Sequence, residues 1–224
     1  MTYPFDDPEP VAHMIIVVGF HTDKPNVALA QLEGEDFRHL TLTLMDGFLT
    51  LHYSLKKKEK EIAGFETDDE VKSLRITKRR LNNGKHNIAR VYITTDNIHM
   101  SVPNYGYEMK DEVAERVVQV DQREVFVIDK FGKPVKITIG RAANIKSGLE
   151  GTLPTSYDGC MSGAKVVLNP HATTLKRFRQ AIELDLFKML DEAKNSNNDN
   201  NNVRNPTGDL PATECGSYLP GPGN

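Results

Sequence analysis

This sequence predicts an all-β protein, an antiparallel sandwich with one helix appended towards its C-terminal side. Three observations carry that expectation. Apolar and polar residues alternate over several short runs, Asp-Gly and Asn-Gly turns punctuate them, and no helical period intervenes between the runs. Many short strands joined by Gly and Pro turns describe sheet packed on sheet, not alternating β-α-β units.

Residues 1–10 hold three prolines and three acids and read as an irregular lead-in. Met14-Ile15-Ile16-Val17-Val18-Gly19-Phe20 is a continuous apolar run rich in β-branched residues, which reads as a buried strand. A hairpin follows. Leu40, Leu42 and Leu44 alternate with Thr41 and Thr43, Asp46-Gly47 turns the chain, and Leu49, Leu51 and Tyr53 alternate with Thr50 and His52. Asp-Gly accepts the positive φ angles of a type I′ turn, and the period of two puts the leucines on one face. Ala89, Val91 and Ile93 run up to Thr95-Asp96-Asn97, and Ile98, Met100 and Val102 return as a second hairpin. Val125–Ile128 and Val135–Ile139 predict later strands, joined through Lys130–Pro134. A turn at Tyr157-Asp158-Gly159-Cys160 feeds a final strand ending at Val166-Val167-Leu168, which Asn169-Pro170 stops.

Beyond the sandwich the pattern changes. Leu175, Phe178, Ile182, Leu186, Met189 and Leu190 recur three or four residues apart, so 173–194 predicts an amphipathic helix. Its apolar stripe is expected to pack on the domain or a neighbour. Asn195 to Asn202 is a polar tract that cannot bury a core, and 195–224 reads as disordered tail. The expected organisation is lead-in 1–10, sandwich 11–168, appended segment 169–194 and tail 195–224.

Composition sets limits on function. A net charge of −3 with 38% hydrophobic residues is ordinary for a globular protein and argues against a nucleic-acid partner. No apolar run reaches the roughly 20 residues that span a bilayer, so direct membrane insertion is not expected. Met1–Asp7 shows no basic region leading into an apolar stretch, so the chain is expected to be cytosolic or a fragment of a longer secreted protein. Catalytic signatures are missing: there is no Gly-x-Ser-x-Gly, phosphate loop or His-Glu-x-x-His. Glu183-Leu184-Asp185 lacks the third acid that lectin-like glycoside hydrolases carry on a strand. The expectation is a protein that is not an enzyme.

Clustered cations are the clearest binding signal. Lys56, Lys57, Lys58 and Lys60 form one run, and Lys78, Arg79, Arg80 and Lys85 form a second. Such clusters concentrate anions locally even on an acidic protein.

Three segments in order resemble the laminin G-like family, the lectin-like jelly roll of laminins, neurexins and sex-hormone-binding globulin. Asp46-Gly47-Phe48-Leu49-Thr50-Leu51-His52-Tyr53 resembles its Asp-Gly hairpin, and Leu81-Asn82-Asn83-Gly84-Lys85 its Leu-Asn-Asp-Gly turn. Tyr157-Asp158-Gly159-Cys160-Met161, with Ile139-Gly140 upstream, resembles its closing aromatic-x-Gly-Cys motif. The match covers about 11–168. Where the family places a Trp-His pair after its turn, this chain has His86-Asn87 and contains no Trp.

The resemblance implies a non-catalytic extracellular recognition module of an adhesion, matrix or receptor ectodomain, binding a protein receptor or a sulfated glycan. It implies a disulfide between Cys160 and Cys215, which would add about 4 kcal/mol in the chain-entropy model. With free cysteines the expected location is cytoplasmic instead. Asp36 matches a family calcium position, with a carbonyl near Leu55 as companion; no cofactor is required, and calcium is the one the resemblance allows. Two other functions share the fold: a small apolar ligand carrier of the steroid-binding-globulin type, and an intracellular lectin-like protein.

Overall fold

The computed structural model describes residues 1–5, 11, 13–35, 38–54, 71–94, 97–102, 114–119, 132–143, 146–147, 151–169 and 182–185. The Asp46-Gly47 turn behaves as its residue types require. Both positions have positive φ, 54° and 82°, and the flanking strands pair as Leu44↔Leu49, Leu42↔Leu51 and Leu40↔Tyr53. That register leaves the leucines buried on one side.

Strands are numbered in chain order. One six-stranded sheet runs β1 (Thr2–Pro4), β10 (Pro134–Ile139), β3 (Val27–Gly34), β4 (His39–Met45), β5 (Phe48–Ser54) and β6 (Lys72–Arg75). The other runs β14 (Ile182–Asp185), β13 (Cys160–Leu168), β2 (Met14–His21), β7 (His86–Ile93), β8 (Asn97–Val102) and β9 (Ala114–Gln119). β11 (Lys146–Ser147) and β12 (Gly151–Thr152) form a short separate hairpin. The pairings in both sheets are antiparallel. Among the described residues the chain is an all-β, antiparallel, jelly-roll sandwich.

The core lies between the sheets. Met14, Ile16, Val18 and Phe20 of β2 are 2% exposed or less, as are Leu42, Leu44, Leu49 and Leu51 opposite them. Each such side chain contributes about 1.5–3 kcal/mol on burial, which makes this layer the main source of stability.

Three differences from the sequence expectation have physical causes. β3 gives no alternation because Val27 to Leu32 are buried on both faces, and a bulge between Ala28 and Ala30 breaks its period. Thr2–Pro4, expected as irregular lead-in, pair with Lys136–Thr138 at the sheet edge. The third concerns the expected helix at 173–194. Ile182–Asp185 are instead a strand, paired with Lys165–Leu168 of β13. Ile182-Glu183-Leu184-Asp185 satisfies a period of two as well as a helical one, and the open edge of β13 supplies backbone partners that select the strand. The rest of 170–194 lies outside the described residues, as do the tail 195–224 and the expected strand Val125–Ile128. Among the described residues no helix is long and apolar enough to cross a membrane.

Candidate functional site

Four connections meet at one end of the sandwich: the β2–β3 loop, the β4–β5 turn, the β6–β7 loop and the turn entering β13. Backbone hydrogen bonds lock them together. Gly47 N–H donates to Pro25 O at 2.7 Å, Leu81 N–H to Gly47 O at 2.7 Å, and Gly84 N–H to Thr22 O at 3.1 Å. Asp46 N–H adds a bond to Asn26 Oδ1 at 2.8 Å. A side chain at Gly47 would collide with Asn82 Oδ1, so the glycine serves close approach as well as positive φ.

The Leu81–Lys85 turn is organised from inside. Asn87, 4% exposed on β7, donates through Nδ2 to Leu81 O at 3.1 Å and to Lys85 O at 2.9 Å. Leu81 itself is buried and anchors the loop. Asn87 thus helps to shape the turn at the point where the sequence lacks a tryptophan.

This anchored loop carries the second basic cluster. Lys78, Arg80 and Lys85 are exposed and Arg79 is half-buried. Among the described residues, Lys78, Arg80 and Lys85 form no ion pair. The Arg80 guanidinium sits over the Phe48 ring, 5.5 Å from its centroid, which holds the charge at the rim. Lys24 and Arg75 add cations here and are offset by Asp23, Asp158 and Asp46, at 3.4, 4.0 and 3.8 Å. Among the described residues, six cations thus lie with three carboxylates here, on a chain whose net charge is −3. The rim is locally basic.

Asp36, Leu55 and the run Lys56, Lys57, Lys58 and Lys60 lie outside the described residues. Ser54, the last described residue before that run, ends β5 at the opposite end from the Asp46-Gly47 turn. Of the expected basic residues, the structure brings together Lys78, Arg79, Arg80 and Lys85.

The closing motif is a clasp. Tyr157 Oη accepts from His21 N–H at 3.1 Å and lies 2.7 Å from His21 O and 2.8 Å from Cys160 O, to which its hydroxyl donates. Burial pushes this phenol up to about 12. Gly159, at φ 142°, packs where a Cβ would strike His21 O. Thr22 Oγ1 donates to Asp158 O at 2.6 Å. The motif ties the end of β2 to the start of β13, which explains its residue types without a ligand.

Sequence reasoning missed a polar layer on the outer face of the first sheet. Thr41, Thr43, Thr50 and His52 are fully buried and Gln31 nearly so. Gln31 Nε2 donates to Thr41 Oγ1 at 3.0 Å, and its Oε1 accepts from Ala143 N–H at 2.7 Å. His52 Nε2 lies 3.0 Å from Thr43 Oγ1, and Arg75 Nε donates to Thr50 Oγ1 at 3.2 Å. Alternation in β4 and β5 shows which way these residues face, but not that the face is covered. Among the described residues no group of three or more His, Cys, Asp or Glu is placed to hold a metal ion.

The fold of the chain is laminin G-like. Domains LG4-5 of the mouse laminin α1 chain superpose with a TM-score of 0.50 at 13% identity, over 74% of this chain and 38% of that one. The LG1-3 region of the laminin α2 chain gives 0.47 at 14%, over 73% and 29%. A Ruminococcus gnavus sialidase CBM40 bound to α2,6-sialyllactose gives 0.41 at 13%, over 71% and 87%. The chain therefore spans well under half the length of the two laminin fragments. No family model and no curated protein sequence matches it.

Proposed function

We propose that the chain is a non-catalytic recognition module that binds an acidic partner, a sulfated glycan or an acidic protein surface, at the rim built by the β6–β7 loop. The observation that carries this reading is the set of exposed, unpaired cations Lys78, Arg80 and Lys85 on a loop pinned by Leu81 and Asn87. A rigid basic loop loses little entropy on binding, and its field attracts anions over about 8–10 Å at physiological salt. An apolar carrier would hold its ligand between the sheets. Phe20, Leu42 and Leu51 fill the middle of that layer, so the rim reading is preferred.

The proposal extends to location. Cys160 is not a free thiol, and the chain's one other cysteine is Cys215. A Cys160–Cys215 bridge fits an extracellular ectodomain fragment, because such bonds persist in oxidising compartments. Calcium at Asp36 belongs to the same proposal.

Retention on immobilised heparin tests the rim. The triple variant Lys78→Ala, Arg80→Ala and Lys85→Ala is expected to elute at clearly lower salt with an unchanged melting temperature. Equal elution of variant and parent would remove the rim as the binding surface.

A further inference from the structure

The outer face of the second sheet carries a cluster of different chemistry. β13 bulges between Met161 and Gly163, and Ser162 is the extra residue opposite β2. Bulges re-aim side chains, and this one sends Ser162 Oγ into the space that a Cβ on Gly19 would fill. His86 Nε2 lies 2.6 Å from Ser162 Oγ and 3.4 Å from the same missing Cβ. His21 stands directly opposite His86 across β2 and β7. Their inward neighbours Phe20 and Asn87 are buried, whereas both histidines are exposed on the outer face. Opposed residues on one face have Cβ atoms about 4.5–5.5 Å apart, a span two imidazoles can close around one ion.

We propose that His21 and His86 form a binding site for a first-row divalent cation of the zinc or copper class, with Ser162 orienting His86. Imidazole nitrogen suits these ions, whereas calcium demands oxygen ligands. In the tautomer that donates Nε2–H to Ser162 Oγ, His86 carries an unprotonated Nδ1 for the metal, the arrangement by which partners of ligating histidines fix the tautomer. Exposed Lys85, at the end of the β6–β7 loop, and Arg90 on β7 oppose a cation, but water and salt screen them. Two protein ligands leave coordination positions for water or for a side chain from a bound partner. The site adjoins the basic loop at Lys85 but takes no ligand from its cations, so it stands whether or not that loop binds glycans.

The test is calorimetric titration of the tag-free full chain with zinc at neutral pH. One site per chain with a micromolar dissociation constant is expected. His21→Ala and His86→Ala should each abolish it, and Ser162→Ala should weaken it about tenfold or more, the scale on which such partners act. Binding that survives in the His21→Ala/His86→Ala double variant, or no zinc-dependent heat in the parent, would overturn the proposal. Copper loading of the unmutated chain supplies a check that no folding defect can confuse. Nitrogen hyperfine coupling in its paramagnetic resonance spectrum supports the histidine pair, and an all-oxygen spectrum rejects it.

Discussion

Lowering the pH should destabilise this protein through one buried histidine. His52 is fully buried on the outer face of β5, with Nε2 3.0 Å from Thr43 Oγ1. Burial first, then the charges of Arg75 and His39, lower its pKa from 6.5 to about 4. A depressed imidazole pKa means that the fold prefers the neutral ring. The resulting stability is fully present above pH 6.5 and is lost as the pH falls from there through 4. At 1.36 kcal/mol per pKa unit the whole loss is about 3 kcal/mol, of which about 2 kcal/mol has gone by about pH 5. For a chain of this length that lowers the melting temperature by about 4–8 °C at about pH 5. The assay is thermal unfolding across this range for the parent and for His52→Gln, which retains a polar group towards Thr43 but cannot titrate. The variant should start less stable at neutral pH and then show a flatter profile. Parallel profiles for the two proteins would refute the assignment, because other acid-sensitive groups are common to both.

Other perturbations read other parts of the structure. Tyr157→Phe keeps the ring but deprives His21 N–H, His21 O and Cys160 O of their shared partner; a loss of about 1–3 kcal/mol is expected by denaturant unfolding. Gly159→Ala drives a methyl into His21 O at a φ that L-residues rarely adopt, so it should destabilise more than Tyr157→Phe in the same assay. Leu51→Ala leaves a cavity between the sheets and should cost about 2–5 kcal/mol, read from the shift in denaturant midpoint. Non-reducing peptide mapping should recover Cys160 linked to Cys215, and two alkylatable thiols would reject the bridge. Millimolar calcium should raise the melting temperature of the parent but not of Asp36→Ala.

Much of the architecture was legible because it rests on local pattern. The β4–β5 hairpin follows from leucine alternation around Asp46-Gly47, and the positive φ at both turn residues is a local steric property. β2, β7, β8, β10 and β13 follow from apolar alternation or from runs of β-branched residues. β3 escaped notice because burial on both faces removes the polar half of the pattern. For the candidate site, the basic residues could be named from sequence but not assembled. That Leu81 N–H reaches Gly47 O and Gly84 N–H reaches Thr22 O depends on loops distant in the chain meeting at one rim. The His21, His86 and Ser162 cluster left no sequence signal at all, since a bulge in one strand and a glycine in another create it.

By itself the sequence determined the all-β class, the hairpin registers and the core faces, because these depend on residue periods and turn sterics over a few positions. Tertiary structure alone decided three other things. It turned Ile182–Asp185 from a plausible helical turn into a strand, since backbone groups on the β13 edge were available to pair. It buried His52 and the threonines around it, since coverage of a polar face depends on what packs over it. It placed Lys78, Arg80 and Lys85 on a loop anchored by Asn87 from β7, since long-range hydrogen bonds and not local propensity set where a loop stands.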